Sequence, residues 1–215
     1  MIAFAKAAQN GIKWVEFDVT LTADEVPIII HDDTLERTTN GRGRVDQFKH
    51  SYLQTLDAGS WFNPRFANER IPDLLSALNF LKAMQVSANI ELKSTQRAES
   101  LVMRVLEVVK RVGYRESLFS SFSIPALSLL RKHAPHARIG LLMDEWLPNW
   151  EEICADLKCV SLHVNADILT LEHVKAVKKR GLVLLCYTVN EASRAATLFN
   201  WGVDAIFSDN IFVIQ

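Results

Sequence analysis

Cysteine is scarce in this chain. The 215 residues carry three, Cys154, Cys159 and Cys186, an odd number without metal-site spacing. That excludes a disulfide framework and fits a reducing compartment. Long apolar runs are missing too: none approaches the roughly 18 residues needed to cross a bilayer, so no stable membrane insertion is expected. Nor is there an excess of one charge. With 24 basic and 25 acidic residues the net charge is -1, which argues against a nucleic-acid or anionic-membrane protein held by bulk charge. The N-terminus, MIAFAKAAQNGIKW, is too polar for a secretory signal, and a cytoplasmic location is expected. No low-complexity tract and no linker rich in Pro, Gly or Ser interrupts the chain. What is present is apolar mass, 49% hydrophobic against 23% charged. That can bury a sizeable core and excludes intrinsic disorder. A single domain over 1–215 is expected.

Short β-branched runs alternate with helical patterns. Strand candidates lie at 14–19, 26–31, 87–92, 117–122, 138–143, 159–164, 182–189 and 204–208. Helix candidates lie at 74–85, after a possible N-cap at Asp73, and at 97–113, which ends on a Gly. Two more lie at 124–133 and 171–181, the last after Thr170. A repeated β-then-α rhythm points to an α/β fold with parallel strands and crossover helices, either a (β/α)8 barrel or a doubly wound open sheet. One pair breaks the rhythm. Only TLTADE separates the runs at 14–19 and 26–31, too few residues for a parallel crossover, so these two form an antiparallel hairpin. A turn centred on Ala23 and Asp24 would place Glu16 opposite His31 and Asp18 opposite Ile29.

Glu16 and Asp18 are two apart on a strand and share a face, while Val15, Phe17 and Val19 take the other. Adjacent carboxylates repel, and a divalent cation keeps both ionised. Oxygen-only ligands favour Mg2+ or Ca2+. The bland alternative is an exposed polar face of an edge strand. In the run 88–93, Asn89, Glu91 and Lys93 share a face that a central parallel strand should not leave in solvent. Glu91 is therefore a candidate third ligand and Lys93 a candidate cation for an anionic substrate; a buried ion pair is the alternative. His31 ends the hairpin and suits proton transfer. The following TTNGRGR is turn chemistry, with Asn40-Gly41 able to tolerate positive φ. Three carboxylates, a lysine and a histidine at strand ends suit a phosphoester substrate.

The run VEFDVTLTADEVPIIIHDDTLERTTNGRGRV (15–45), with DAGSWF (57–62), IPDL (71–74), ANIELK (88–93), SSFS (120–123), YTVN (187–190) and GVDAIFSDN (202–210), resembles the glycerophosphodiester phosphodiesterases over essentially the whole chain. The resemblance implies a (β/α)8 TIM barrel of the superfamily of phosphatidylinositol-specific phospholipase C. It implies hydrolysis of deacylated phospholipids, such as glycerophosphocholine, to sn-glycerol 3-phosphate and an alcohol. It puts metal ligands at Glu16, Asp18 and Glu91, a catalytic histidine at His31 and a phosphate contact at Lys93. Tyr187 stands where many members carry a tryptophan lining the glycerol pocket. The segment from about 33 to 70 corresponds to the family's small insertion. Family members open with a strand ending in His-Arg-Gly and a Pro-Glu-Asn-Thr segment. This chain starts beyond them, so the first barrel strand is expected to be missing and hydrolysis by these 215 residues impaired.

Other residues carry weaker expectations. His163, late in a strand with Ser161 and Asn165 on its face, lines a pocket or is a satisfied core histidine. Trp61 and Phe62 form a lid or a small satellite core. The cysteines read as buried hydrophobes. The expected partner is a small-molecule glycerophosphodiester, with a homodimer left open. A competing reading, a non-catalytic metal- or phosphoester-binding remnant, predicts ligand-induced thermal stabilisation without turnover.

Overall fold

A computed structural model of the protein describes residues 1–93 and 96–212. The chain divides into two compact units, Met1–Ser117 and Leu118–Gln215.

The first unit runs α1 (Ile2–Gln9), β1 (Trp14–Leu21), β2 (Pro27–Ile29), a short α2 (His50–Leu53), α3 (Leu74–Ala83), β3 (Ser87–Leu92) and α4 (Ala98–Val112). Strand β1 pairs antiparallel with β2 and parallel with β3. Its alternation works as the sequence demands: Phe17, Val19 and Leu21 are buried, and the Phe4 ring of α1 lies 5.4 Å from that of Phe17. Helix α3 starts where Asp73 accepts from the Ser76 amide at 2.8 Å, satisfying one of the orphan donors of the first turn. Helix α4 ends on Gly113 at φ +63, a left-handed stop that costs other residues more. Between β2 and α3 the insertion builds its own small core from Leu35, Val45, Leu53, Leu56 and Ile71 against Ile28 and Ile30. Trp61 and Phe62 stay outside that core, 52% and 68% exposed, so the satellite-core expectation does not hold for them.

The second unit runs β4 (Ser117–Ser121), α5 (Ile124–His133), β5 (Ile139–Met143), α6 (Trp150–Asp156), β6 (Ser161–Asn165), α7 (Leu171–Lys179), β7 (Val183–Tyr187), α8 (Ala192–Trp201) and β8 (Ala205–Ile206). Each consecutive strand pair, from β4–β5 to β7–β8, is parallel. Ser123 and Thr170 cap α5 and α7 by accepting from Ala126 N at 3.3 Å and His173 N at 3.2 Å. The three cysteines are free and buried, as expected of small hydrophobes. The fold class is thus α/β, built from the predicted β-then-α repeats. Apart from β2, seven strands occur among the described residues.

One local expectation is corrected. The hairpin register is one residue off: Val19 faces Ile29, Thr20 faces Ile28 and Leu21 faces Pro27. The turn spans Thr22 to Val26 rather than centring on Ala23 and Asp24. Thr22 Oγ1 donates to Asp24 Oδ1 at 2.7 Å and accepts from Val26 N at 2.9 Å, and Glu25 takes φ +60. One residue of slip reverses which side chains share a face, so Glu16 is not opposite His31. In the TTNGRGR turn Gly43 takes positive φ, at +101. Gly41 is needed for space instead: a Cβ there would lie 2.7 Å from Leu56 Cδ1.

Candidate functional site

The polar faces of β1 and β3 meet. In the parallel register Glu16 is beside Asn89 and Asp18 beside Glu91. Because side chains alternate along a strand, this register stacks the polar residues of both strands on one face. Glu16, Asp18 and Glu91 each offer a carboxylate oxygen within 4.8 Å of the others. Lys93 closes the group, its Nζ 3.1 Å from Asp18 Oδ1 and 3.5 Å from Glu91 Oε1. The backbone fixes that reach: Lys93 N donates to Val19 O at 3.1 Å, and Arg97 donates to the Leu21 and Thr22 carbonyls at 3.0 Å each.

The electrostatics are those of a site short of positive charge. Glu91 is 9% exposed, and burial, followed by the Asp18 charge, pushes its carboxyl up to about 7 although Lys93 pulls the other way. Burial also disfavours the Lys93 charge, but Asp18 and Glu91 outweigh it and hold the ammonium above its ordinary value. The Lys93 ammonium therefore does not offset the effect of burial and of Asp18 on Glu91. The donor set is all oxygen, converges from two strands and fits a hard divalent cation in size and charge.

His31 follows β2 in the turn that opens the insertion. Instead of Glu16, its partner is Asp32, with Nδ1 2.7 Å from Oδ1. It remains close enough to Glu91 that a charge on the imidazole lowers that carboxyl. Asp32 in turn accepts from Arg37 Nε at 2.5 Å and from a second Arg37 nitrogen at 2.8 Å. Arg37 lies within the field of Asp18. Sequence reasoning passed over Asp32 and Arg37; the available signal was a carboxylate next to His31 with an arginine one turn-length later in HDDTLER.

The other two predicted site residues belong to the second unit, on neighbouring strands β6 and β7. His163 is 0% exposed. Ser161 Oγ is 2.9 Å from its Nε2, the Phe207 ring lies 5.3 Å away, and Nδ1 has no partner. Burial alone pushes its pKa down to about 3, so the ring is neutral. Tyr187 is half-buried and donates its hydroxyl to Asp144 Oδ1 at 3.0 Å. Its ring meets Phe122 edge-on at 6.0 Å.

Known proteins are similar to this chain in sequence and fold. The family model described as the glycerophosphoryl diester phosphodiesterase family matches residues 1–213. A glycerophosphodiester phosphodiesterase of Caldanaerobacter subterraneus subsp. tengcongensis is 33% identical, over 97% of this chain and 86% of its own. The solved structure of an Oleispira antarctica phosphodiesterase in complex with the product sn-glycerol-3-phosphate is 36% identical. It superposes with a TM-score of 0.93 over 96% of this chain and 85% of that one. A glycerophosphodiester phosphodiesterase from Agrobacterium tumefaciens is 29% identical, with a TM-score of 0.82 over 97% and 89%.

Proposed function

The chain belongs to the glycerophosphoryl diester phosphodiesterase family, a family of enzymes, and we propose that it catalyses metal-dependent hydrolysis of glycerophosphodiesters to sn-glycerol 3-phosphate and an alcohol. The observation that carries this reading is the convergence of Glu16, Asp18 and Glu91 within 4.8 Å beside the Lys93 ammonium. The product named in the Oleispira antarctica complex supports the substrate class.

Glu16, Asp18 and Glu91 would hold a Mg2+ or Ca2+ ion, with the rise in the Glu91 pKa relieved by it. Bound there, the ion supplies Lewis-acid polarisation of the phosphodiester. Lys93 places a fixed positive charge where a non-bridging phosphate oxygen gains negative charge, an interaction that a water-poor site strengthens. Its hydrogen bonds to two carboxylates hold that charge in position without a mobile counterion. His31 transfers a proton, and we assign it the role of general acid to the departing alcohol. Three free cysteines are consistent with a cytoplasmic setting, and no helix among the described residues is long and apolar enough to cross a membrane.

The test is release of sn-glycerol 3-phosphate from glycerophosphocholine with Mg2+ or Ca2+. Turnover that EDTA abolishes and added metal restores is the expected result. Absence of turnover on any glycerophosphodiester would overturn the reading, and thermal stabilisation without turnover would favour the non-catalytic remnant.

A further inference from the structure

Asp32 holds His31 in a way that fixes which imidazole nitrogen carries the proton. An ionised carboxylate only accepts hydrogen bonds, so a neutral His31 in this contact carries its hydrogen on Nδ1 and leaves Nε2 bare on the far side of the ring. Asp32 is ionised: the Arg37 hydrogen bonds, with a smaller part from His31, hold its carboxyl well below the usual carboxylate range despite partial burial. Arg37 grips both carboxylate oxygens, a fork geometry that a point charge does not reproduce. That grip sets the plane of the carboxylate and therefore the direction in which Oδ1 meets His31 Nδ1 at 2.7 Å. It also offsets the Asp32 charge, so that the pair adds no uncompensated anion near Asp18 and Glu91. The side chains of His31 and Arg37 are 66% and 55% exposed, so their order comes from this three-member contact and not from packing.

We propose that Asp32 and Arg37 are positioning residues that hold His31 with Nδ1–H towards Asp32 and Nε2 towards the scissile phosphodiester. The proposal rests on the hydrolytic reading above and deepens it. As a water oxygen bonds to phosphorus and its proton passes to bulk solvent, the P–O bond to the alcohol breaks and its electron pair stays on the alcohol oxygen. That oxygen takes the Nε2 proton of the His31 imidazolium and becomes an O–H. His31 is left neutral with its remaining proton on Nδ1, the tautomer that Asp32 already favours. The hydrogen bond to Asp32 therefore persists through proton transfer, and the ring need not rotate.

The first arm of the test is independent of activity. Long-range 1H–15N NMR near pH 8, where an ordinary imidazole is neutral, reads the tautomer of His31, assigned by its loss in His31→Gln. The expected result is an Nδ1–H tautomer in the unaltered protein and a shift to Nε2–H in Asp32→Ala. An unaltered protein that is mainly Nε2–H, or an Asp32→Ala spectrum unchanged at His31, overturns the proposal. The second arm compares two phosphoglycerol esters, one of choline, whose alcohol must be protonated as it leaves, and one of 4-nitrophenol, whose phenolate need not be. Asp32→Asn should lower kcat on the choline ester by about 10–100-fold with KM unchanged, and on the nitrophenyl ester by less than about 3-fold. Equal losses on both esters overturn the positioning role while leaving the hydrolytic reading intact. If the unaltered protein hydrolyses neither ester, the hydrolytic reading is what fails, and the tautomer measurement still decides how His31 is held.

Discussion

Glu91→Gln should stabilise the metal-free protein at alkaline pH, although it removes a residue assigned to metal binding. The Glu91 carboxyl is raised from 4.5 to about 7, mainly by burial and then by Asp18. Between those values the folded state binds more protons at this position than the unfolded state, so this group's contribution falls as pH rises. It stops changing once pH passes the folded value. From pH 5.5 to 8 the span that counts runs from 5.5 to about 7. At 1.36 kcal/mol per unit that is about 2 kcal/mol lost by the unaltered protein and not by Glu91→Gln, whose amide does not titrate. For a chain of this size it corresponds to roughly 4–8 °C in Tm. The assay is urea unfolding of both proteins at pH 5.5 and 8 in EDTA. Taking the difference between the proteins at each pH removes every other titrating group. Adding Ca2+ or Mg2+ at pH 8 should stabilise the unaltered protein and not the variant. A pH-independent difference between the two proteins would refute the reasoning, because it would mean that Glu91 ionises in the folded protein at no cost.

Three further outcomes follow from the same geometry. Glu16→Gln or Asp18→Asn should each cost on the order of 10²–10³-fold in kcat, as removing one electrostatic contact to the transition state does; steady-state rates with glycerophosphocholine check this. Gly140→Ala should destabilise by about 1–3 kcal/mol in urea unfolding, because a Cβ there would lie 2.5 Å from His163 Nε2 and 2.7 Å from Ser161 Oγ. Acid should weaken the fold through His163, whose pKa is depressed from 6.5 to about 3. The unfolded state takes up the proton first, so stability falls as pH drops below 6.5, by up to about 1.4 kcal/mol per unit. His163→Gln should flatten that slope in denaturant titrations between pH 4 and 6.

Most of the site could be read from spacing because strands alternate. ExD on one run and NxExK on another put their polar residues on one face wherever the strands lie, and parallel pairing needs only the β-then-α rhythm. The hairpin register resisted because it depends on one side chain: Thr22 closes the turn through Asp24 and Val26, and composition does not distinguish that loop from a tighter one. His31 has Asp32 rather than Glu16 as its neighbour for the same reason. Asp32 and Arg37 lie in a turn with no periodicity to predict where side chains point, so the sequence does not show that Asp32 meets the imidazole and Arg37 grips Asp32. Gly41 and Gly43 illustrate the same limit: the composition marks a turn, whereas the close approach of Leu56 to Gly41 and the positive φ of Gly43 depend on the folded surroundings. For His163 the strand pattern gave the placement, whereas complete burial depends on neighbours such as Phe207, distant in sequence.

The most direct measurement is anomalous diffraction from a crystal grown with Mn2+ as a reporter for the divalent ion. The account predicts one strong peak with oxygens of Glu16, Asp18 and Glu91 each within about 2.0–2.6 Å of it. A peak elsewhere, or one at this position held by only one of the three carboxylates, would contradict it.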